Sequence, residues 1–280
     1  MNYWKTYRLI KDIFFIFTNL LIDFVHFFKF LTKRKYRSTL NNNKKYRNQF
    51  VEQTWYILGN APSTTVSDLK KLEKKNVICM NRAHLIKEYS LILPKFHILI
   101  DDKLYKGQWG LNILNDIIKI NPKVIFILNI KWCDNLYFIK NILNFIDSNQ
   151  IIWIDTKKFI NRLNFKFLKN DITRSTYGGG AFGACLAFID FCGFKDLYIH
   201  GVDANGLCYD LIDNKKSHIY GNNSENAHKS TLDVCSDLDQ MSITINSYVY
   251  WSLYFKKNKK KVFNTSTSGI LNMFHRKKLI

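Results

Sequence analysis

Two glycine-bearing segments, each closing a strand-like apolar run, constrain this chain more than any other feature. The first is Trp55-Tyr56-Ile57-Leu58-Gly59-Asn60-Ala61-Pro62-Ser63. The second opens as Gly178-Gly179-Gly180-Ala181-Phe182-Gly183, runs through an apolar helical stretch, and ends in Leu197-Tyr198-Ile199-His200-Gly201-Val202-Asp203. Glycine and a short polar residue at the carboxyl end of a buried strand let a ligand approach the backbone. Open α/β sheets bind their ligands at that edge.

The remaining periodicity agrees. Strand-like runs recur at Trp55–Leu58, Val77–Met80, Phe96–Asp101, Val124–Leu128, Ile151–Asp155, Leu197–His200 and Lys261–Phe263. Helical patterns cover Thr65–Lys75, with Ser67 as a candidate cap, then Trp109–Ile120, Asn135–Ser148, Ala181–Cys192 and Ser230 to about Lys257. Alternating strands and helices predict an α/β fold: a Rossmann-type, mainly parallel sheet with helices on both faces. At 280 residues the chain is long enough for one such domain, assigned to residues 51–280, plus an N-terminal appendage.

That appendage, residues 1–50, reads as a membrane-associating amphipathic helix and a basic linker. Ile13 to Leu31 is mostly Phe, Ile and Leu, but Asn19, Asp23, His26 and Lys29 fall on one helix face. A spanning helix would expose that stripe to lipid, whereas an interfacial helix would point it at water; a helix packed on the domain's own core is the remaining alternative. Lys33, Arg34, Lys35, Arg37, Lys44, Lys45 and Arg47 follow, as expected for anionic headgroups. Asn41-Asn42-Asn43-Lys44-Lys45 reads as a linker, with the globular domain starting near Gln53.

The formal net charge of +20 favours polyanionic partners, but no nucleic-acid-binding motif accompanies it, and nucleic acid is not expected. The six cysteines contain no CxxC pair and read as small hydrophobes in a reducing compartment. Asp237-Leu238-Asp239 lies inside a predicted helix, where its carboxylates diverge, so no metal site is expected.

Candidate chemistry gathers at the strand ends. Asn81 closes the second strand and Asp101-Asp102 the third. Pro62-Ser63 reads as a helix start whose N–H groups suit phosphate. The long polar stretch 204–229 reads as a lid and carries Tyr209, His218, Tyr220 and His228. A histidine there can serve as a general base near neutral pH.

Ile57–Ser63, Ala184–Asp203, Ser217-His218-Ile219-Tyr220-Gly221 and Asn264-Thr265-Ser266-Thr267-Ser268-Gly269 together resemble segments of the bacterial lipooligosaccharide sialyltransferases. The same core pattern resembles the MptE-like, hydroxymethylpterin pyrophosphokinase-like group. The resemblance implies a GT-A-like, metal-independent, inverting glycosyltransferase of surface-glycan biosynthesis. It would use a CMP-activated, sialic-acid-like sugar as donor substrate and no cofactor. Gly59, Asn60, Ser63, Asn81, Gly179, Gly180, Gly201, Asp203, Tyr209 and Ser268 would then bind the donor nucleotide, with Asp203 near the ribose. The family's base histidine follows the segment matched by Ser217–Gly221, where this chain has Asn222-Asn223. His228, beside the start of the predicted Ser230 helix, is the preferred base; His218 is second, and Asp101 and Asp102 come next. The first motif carries Ala61 where the family usually has glycine. Implied partners are a nucleotide sugar, a glycan or lipid-linked glycan acceptor and an anionic membrane surface, with an oligomer left open. The implied location is peripheral, on the cytoplasmic face of the bacterial inner membrane. Two rivals remain: a pyrophosphokinase using ATP and magnesium on Asp101, Asp102 and Asp203, and a non-catalytic nucleotide- or polyanion-binding protein of the membrane surface.

Overall fold

The structure, a computed structural model, describes residues 3–110, 112–141, 143, 145–157, 170–178, 180–204, 218–221 and 231–279. In chain order its elements are α1 (Tyr3–Thr32), α2 (Arg34–Asn41), a 3-10 turn (Asn42–Tyr46), β1 (Thr54–Leu58), α3 (Val66–Lys71), β2 (Asn76–Met80), α4 (Tyr89–Ile92), β3 (Phe96–Leu99) and α5 (Asp102–Tyr105). Then come α6 (Ile113–Ile120), β4 (Ile125–Asn129), α7 (Leu136–Asn141), β5 (Ile151–Lys157), β6 (Ser175–Tyr177), α8 (Ala181–Cys192), β7 (Asp196–His200), α9 (Thr231–Lys257), β8 (Lys261–Asn264) and β9 (His275–Arg276).

The strands form one sheet in the order β6-β5-β4-β3-β2-β1-β7-β8-β9, and every pairing is parallel. Side chains alternate across it. Trp55 and Ile57 face one core with α8 and α9, while Tyr56 and Leu58 face the other with α3, α6 and α7. Burial on both faces explains why the strands read as continuous apolar runs. The expected fold class is the one observed. β6 and β9, absent from the sequence reading, are short edge strands without an apolar run.

Chain order reverses at β1. From β1 to β6 the strands are laid down in one direction; β7, reached through the buried crossover helix α8, then pairs on the opposite side of β1. The β1/β7 boundary is therefore the topological switch point, where the loops leaving adjacent strands diverge and open a crevice.

Local chemistry adjusts several expected boundaries. Thr65, not Ser67, caps α3: its Oγ1 accepts from the Asp68 amide at 3.2 Å. Helix α6 starts at Ile113 rather than Trp109, because Gly110 takes φ +84° just before it. Asp237 and Asp239 lie within α9 as expected.

The N-terminal reading needs a larger correction. The segment taken as a linker is built into the core. Leu40 is buried, Tyr46 and Phe50 pack on Phe96, and Asn43 Nδ2 donates to the carbonyls of Trp153 and Ile172 at 2.8 and 2.9 Å. The middle of the polar stripe of α1 turns toward the domain, while Lys29 at its end stays exposed. Asn19 is buried, and His26 Nδ1 and the Tyr36 hydroxyl both bond Asp155 Oδ2 on β5. A buried carboxylate needs such partners, so it draws the polar face of the helix inward.

Candidate functional site

At the switch point the β1–β7 ladder runs on past both strands. Gly59 N donates to His200 O and Ala61 N to Gly201 O, each at 2.9 Å. The two backbones lie so close that a Cβ on Gly59 would stand 2.1 Å from the Gly201 carbonyl oxygen. Gly201 also takes φ +64°. Glycine is thus required here for strand-to-strand approach, a demand the sequence alone did not suggest.

Immediately beyond lies a cavity of about 120 Å³, lined by Gly59, Asn60, Met80, Gly201, Asp203 and His218 among others. The 218–221 segment is docked against its rim. Ile219 N donates to Asn60 O, and Asn60 Nδ2 donates to the Tyr220 hydroxyl, both at 2.9 Å. The His218 and Tyr220 rings stack at 5.0 Å. Asn60 therefore binds the loop through its backbone and its side chain at once, which holds His218 over the cavity.

Three residues nominated separately from sequence meet on one carboxylate. Ser63 Oγ donates to Asp203 Oδ1 at 2.6 Å and Ser268 Oγ to Oδ2 at 3.0 Å. The loops after β1, β7 and β8 are thereby tied together. Both Asp203 oxygens accept from a serine hydroxyl, so the carboxylate ties the loops, and each oxygen keeps a further acceptor site. Pro62-Ser63 belongs to a turn, with Thr64 N bonded to Ala61 O, and not to the start of a helix.

Asn81 follows Met80 at the end of β2 and adopts φ +52°. Its backbone is held from two sides: Asn81 N donates to Ile98 O, and His97 Nε2 donates to Asn81 O at 2.7 Å. That bond fixes the His97 tautomer, so Nδ1 accepts from the Tyr89 hydroxyl at 2.7 Å. Burial pushes the His97 imidazole down to about 3, and burial followed by Arg82 pushes His84 down to about 4. His200 is also lowered by burial, which outweighs Asp68 with its carboxylate 3.8 Å away. These imidazoles are neutral at physiological pH.

The other nominated residues separate. Gly180 sits at the N-terminus of α8 with φ +91°, on the same sheet edge but off the cavity wall. Asp101 caps α5 by accepting from Lys103 N, and Asp102 pairs with Lys131. Gly179, Tyr209 and His228 lie outside the described residues, as does most of the expected lid. Among the described residues no group of three His, Cys, Asp or Glu side chains is placed to hold a metal ion.

Sequence reading missed Arg276. Its guanidinium donates to the carbonyls of Ser266 and Gly269 at 2.7 and 2.9 Å, clamping the loop that presents Ser268. In the sequence it is indistinguishable from the solvated charges of Arg276-Lys277-Lys278; the only hint is that this basic run follows the loop it holds.

Fold and site together define a doubly wound, parallel α/β protein with a polar crevice at its switch point. No protein-family model matches the chain, and no curated protein matches it. Among solved structures it is similar to the sialyltransferase CstII from Campylobacter jejuni in complex with the substrate analogue CMP-3FNeuAc: 16% identity, covering 80% of this chain and 86% of that one, TM-score 0.44. The same enzyme with cytidine-5'-monophosphate matches at 17% identity over 81% and 85%, TM-score 0.43. The MAf glycosyltransferase from Magnetospirillum magneticum AMB-1 matches at 12% identity over 84% of this chain, which spans 37% of that longer protein, TM-score 0.43.

Proposed function

We propose that the chain is a glycosyltransferase that binds a CMP-linked, sialic-acid-like sugar at the β1/β7 crevice and transfers it, with inversion, to a glycan hydroxyl. The observation that carries this reading is the crevice itself. It stands at the switch point, where doubly wound sheets take nucleotides, and its wall holds Gly59, Asn60, Gly201, Asp203 and His218. Those residues belong to the segments that resemble the sialyltransferases.

In this reaction the acceptor oxygen attacks the anomeric carbon as the bond to the CMP phosphate oxygen breaks. His218, held by the Asn60–Tyr220 contact, takes the acceptor proton. A base in that position contributes about 10²–10⁴-fold. CMP departs as a phosphate monoester anion, a charge that needs preorganised hydrogen-bond donors in the crevice to offset it. Ser63, Asp203 and Ser268 shape the crevice by joining its loops. The pyrophosphokinase alternative gains no support from Asp101 and Asp102, which are spent on a helix cap and an ion pair.

The test is a thermal-shift panel of CMP, UDP, GDP and ATP, followed by a transfer assay with and without EDTA. CMP should give the largest stabilisation, and transfer should survive chelation. Preference for ATP, with activity lost to EDTA and restored by magnesium, would overturn the reading.

A further inference from the structure

The outer face of α1 is apolar along its length. Ile10, Phe14, Phe17, Leu21, Phe24 and Phe28 recur at alternating intervals of four and three, and all are exposed. A second row, Ile13, Leu20 and Phe27, at intervals of seven, is exposed beside them. At about 100° per residue these rows cover an arc of roughly 140°, and no charged residue lies on it. The inner face holds Asn19, which is buried, and His26, bonded to Asp155. A helix at a protein–water boundary has the opposite arrangement. The hydroxyls of Thr18 and Thr32 fold back onto the Phe14 and Phe28 carbonyls at 3.0 and 2.8 Å, so neither adds an unsatisfied donor to this helix.

We infer that α1 lies in the plane of a membrane interface, its outer face among the acyl chains and its polar face fastened to the domain, with anionic headgroups bound by the basic residues that follow it. The width of the apolar arc selects lipid over a second copy of the chain. A two-helix seam is narrow and flanked by charged positions; here the flanking row is Ile13, Leu20 and Phe27. Charge selects the headgroup: Lys33, Arg34, Lys44 and Lys45 are exposed just beyond the helix on a chain of net charge +20. The segment Leu9–Thr32 is long enough to cross a bilayer. It does not cross, because His26 is bonded to Asp155 and Asn19 is buried in mid-helix, and a spanning helix would have to release the one and uncover the other. The polar stripe alone pointed to the interface with its polar side toward water; the structure gives that side to the protein. This placement is independent of the reaction proposed above.

The experiment is vesicle flotation of the full-length protein. It should float with phosphatidylcholine vesicles containing phosphatidylserine, and at least about tenfold more weakly with phosphatidylcholine alone or in high salt. The triple variant Phe17→Ser, Leu21→Ser, Phe24→Ser should bind at least about 100-fold more weakly with an unchanged melting temperature, because these side chains lie outside the core. In a second measurement, Phe14→Trp and Leu21→Trp, both exposed on the outer face, should both be quenched by lipids brominated near the headgroup, and to similar extents, whereas a span over Leu9–Thr32 would carry position 21 to the bilayer midplane. Three results would each overturn the proposal: wild-type flotation by the triple variant; unequal quenching depths, which indicate a span; or a dimer in light scattering that the triple variant dissociates while wild type ignores vesicles.

Discussion

The β1/β7 edge and helix α1 solve opposite problems. At the edge, polar groups turn inward and satisfy one another: Asp203 takes two serines, and Asn60 holds the 218–221 segment. On α1, apolar groups turn outward while His26 of the polar stripe is bound by Asp155. The same rule acts in both places. A buried polar group must find a partner, and the partner's position decides which way an element faces.

The sharpest way to break the comparison is to cut the chain at two points. Removing residues 1–32 takes away α1 alone and should leave a cooperatively folding protein with its crevice intact. Removing residues 1–50 also takes Leu40, Tyr46 and Phe50 out of the core. At about 3–5 kcal/mol for each large aromatic, that loss rivals the whole stability of a domain. Urea denaturation followed by circular dichroism should show a transition for the first and none for the second. Equal behaviour would return residues 33–50 to the role of a linker.

The next largest effect belongs to Gly59→Ala. Its Cβ would meet the Gly201 carbonyl oxygen at 2.1 Å, and backbone on both sides cannot yield cheaply. We expect a loss of about 3 kcal/mol or more. Gly180→Ala meets nothing nearer than 3.9 Å and should cost about 1–3 kcal/mol from its positive φ alone. Chemical denaturation of the pair separates close approach from backbone strain.

Asp203→Ala leaves Ser63 and Ser268 without their shared acceptor. Hydrogen bonds to a charged group contribute about 1.5–3 kcal/mol each, so a stability loss of that order is expected, together with weaker CMP-induced stabilisation in the thermal-shift assay. Asn60→Ala should act on binding with little effect on stability, since it frees the 218–221 segment without opening the core. Unchanged CMP binding in both variants would remove the crevice from consideration.

The smallest effect is a pH dependence. His97 is neutral in the fold, near 3, against about 6.5 unfolded. Its contribution to stability is therefore complete above about pH 6.5 and lost as pH falls toward 3, by at most about 1.4 kcal/mol per pH unit. His97→Gln keeps a donor for the Asn81 carbonyl but cannot titrate. Urea midpoints measured at pH 7 and pH 5 should differ less in this variant than in wild type.

What was legible in the sequence follows from these forces. Strands buried on both faces announce themselves as apolar runs, and α8 could be read to the residue because it is enclosed by the sheet and α9. Gly59 and Gly201 marked the crevice, although the closeness of their two backbones was not legible. The inward turn of α1 was not legible, because it depends on Asp155, a residue 129 positions away from His26. The burial of Asn43 was hidden in the same way: three asparagines beside two lysines look like linker until Trp153 and Ile172 supply carbonyls for one of them. Thr65 displaced Ser67 as the cap of α3 by two positions, a distinction that rests on one hydroxyl.

The knot of Ser63, Asp203 and Ser268 also sets a timetable. Its members are separated by 140 and 65 positions, and the ribosome delivers them in that order. β1 emerges early, but β7 arrives only after the whole of the other half-sheet, and Ser268 later still. A growing chain can form α1 as soon as it clears the exit tunnel, because a helix needs only its own neighbours. The crevice has no such freedom. No fragment that stops short of Ser268 can close it, so the helix can exist well before the site does.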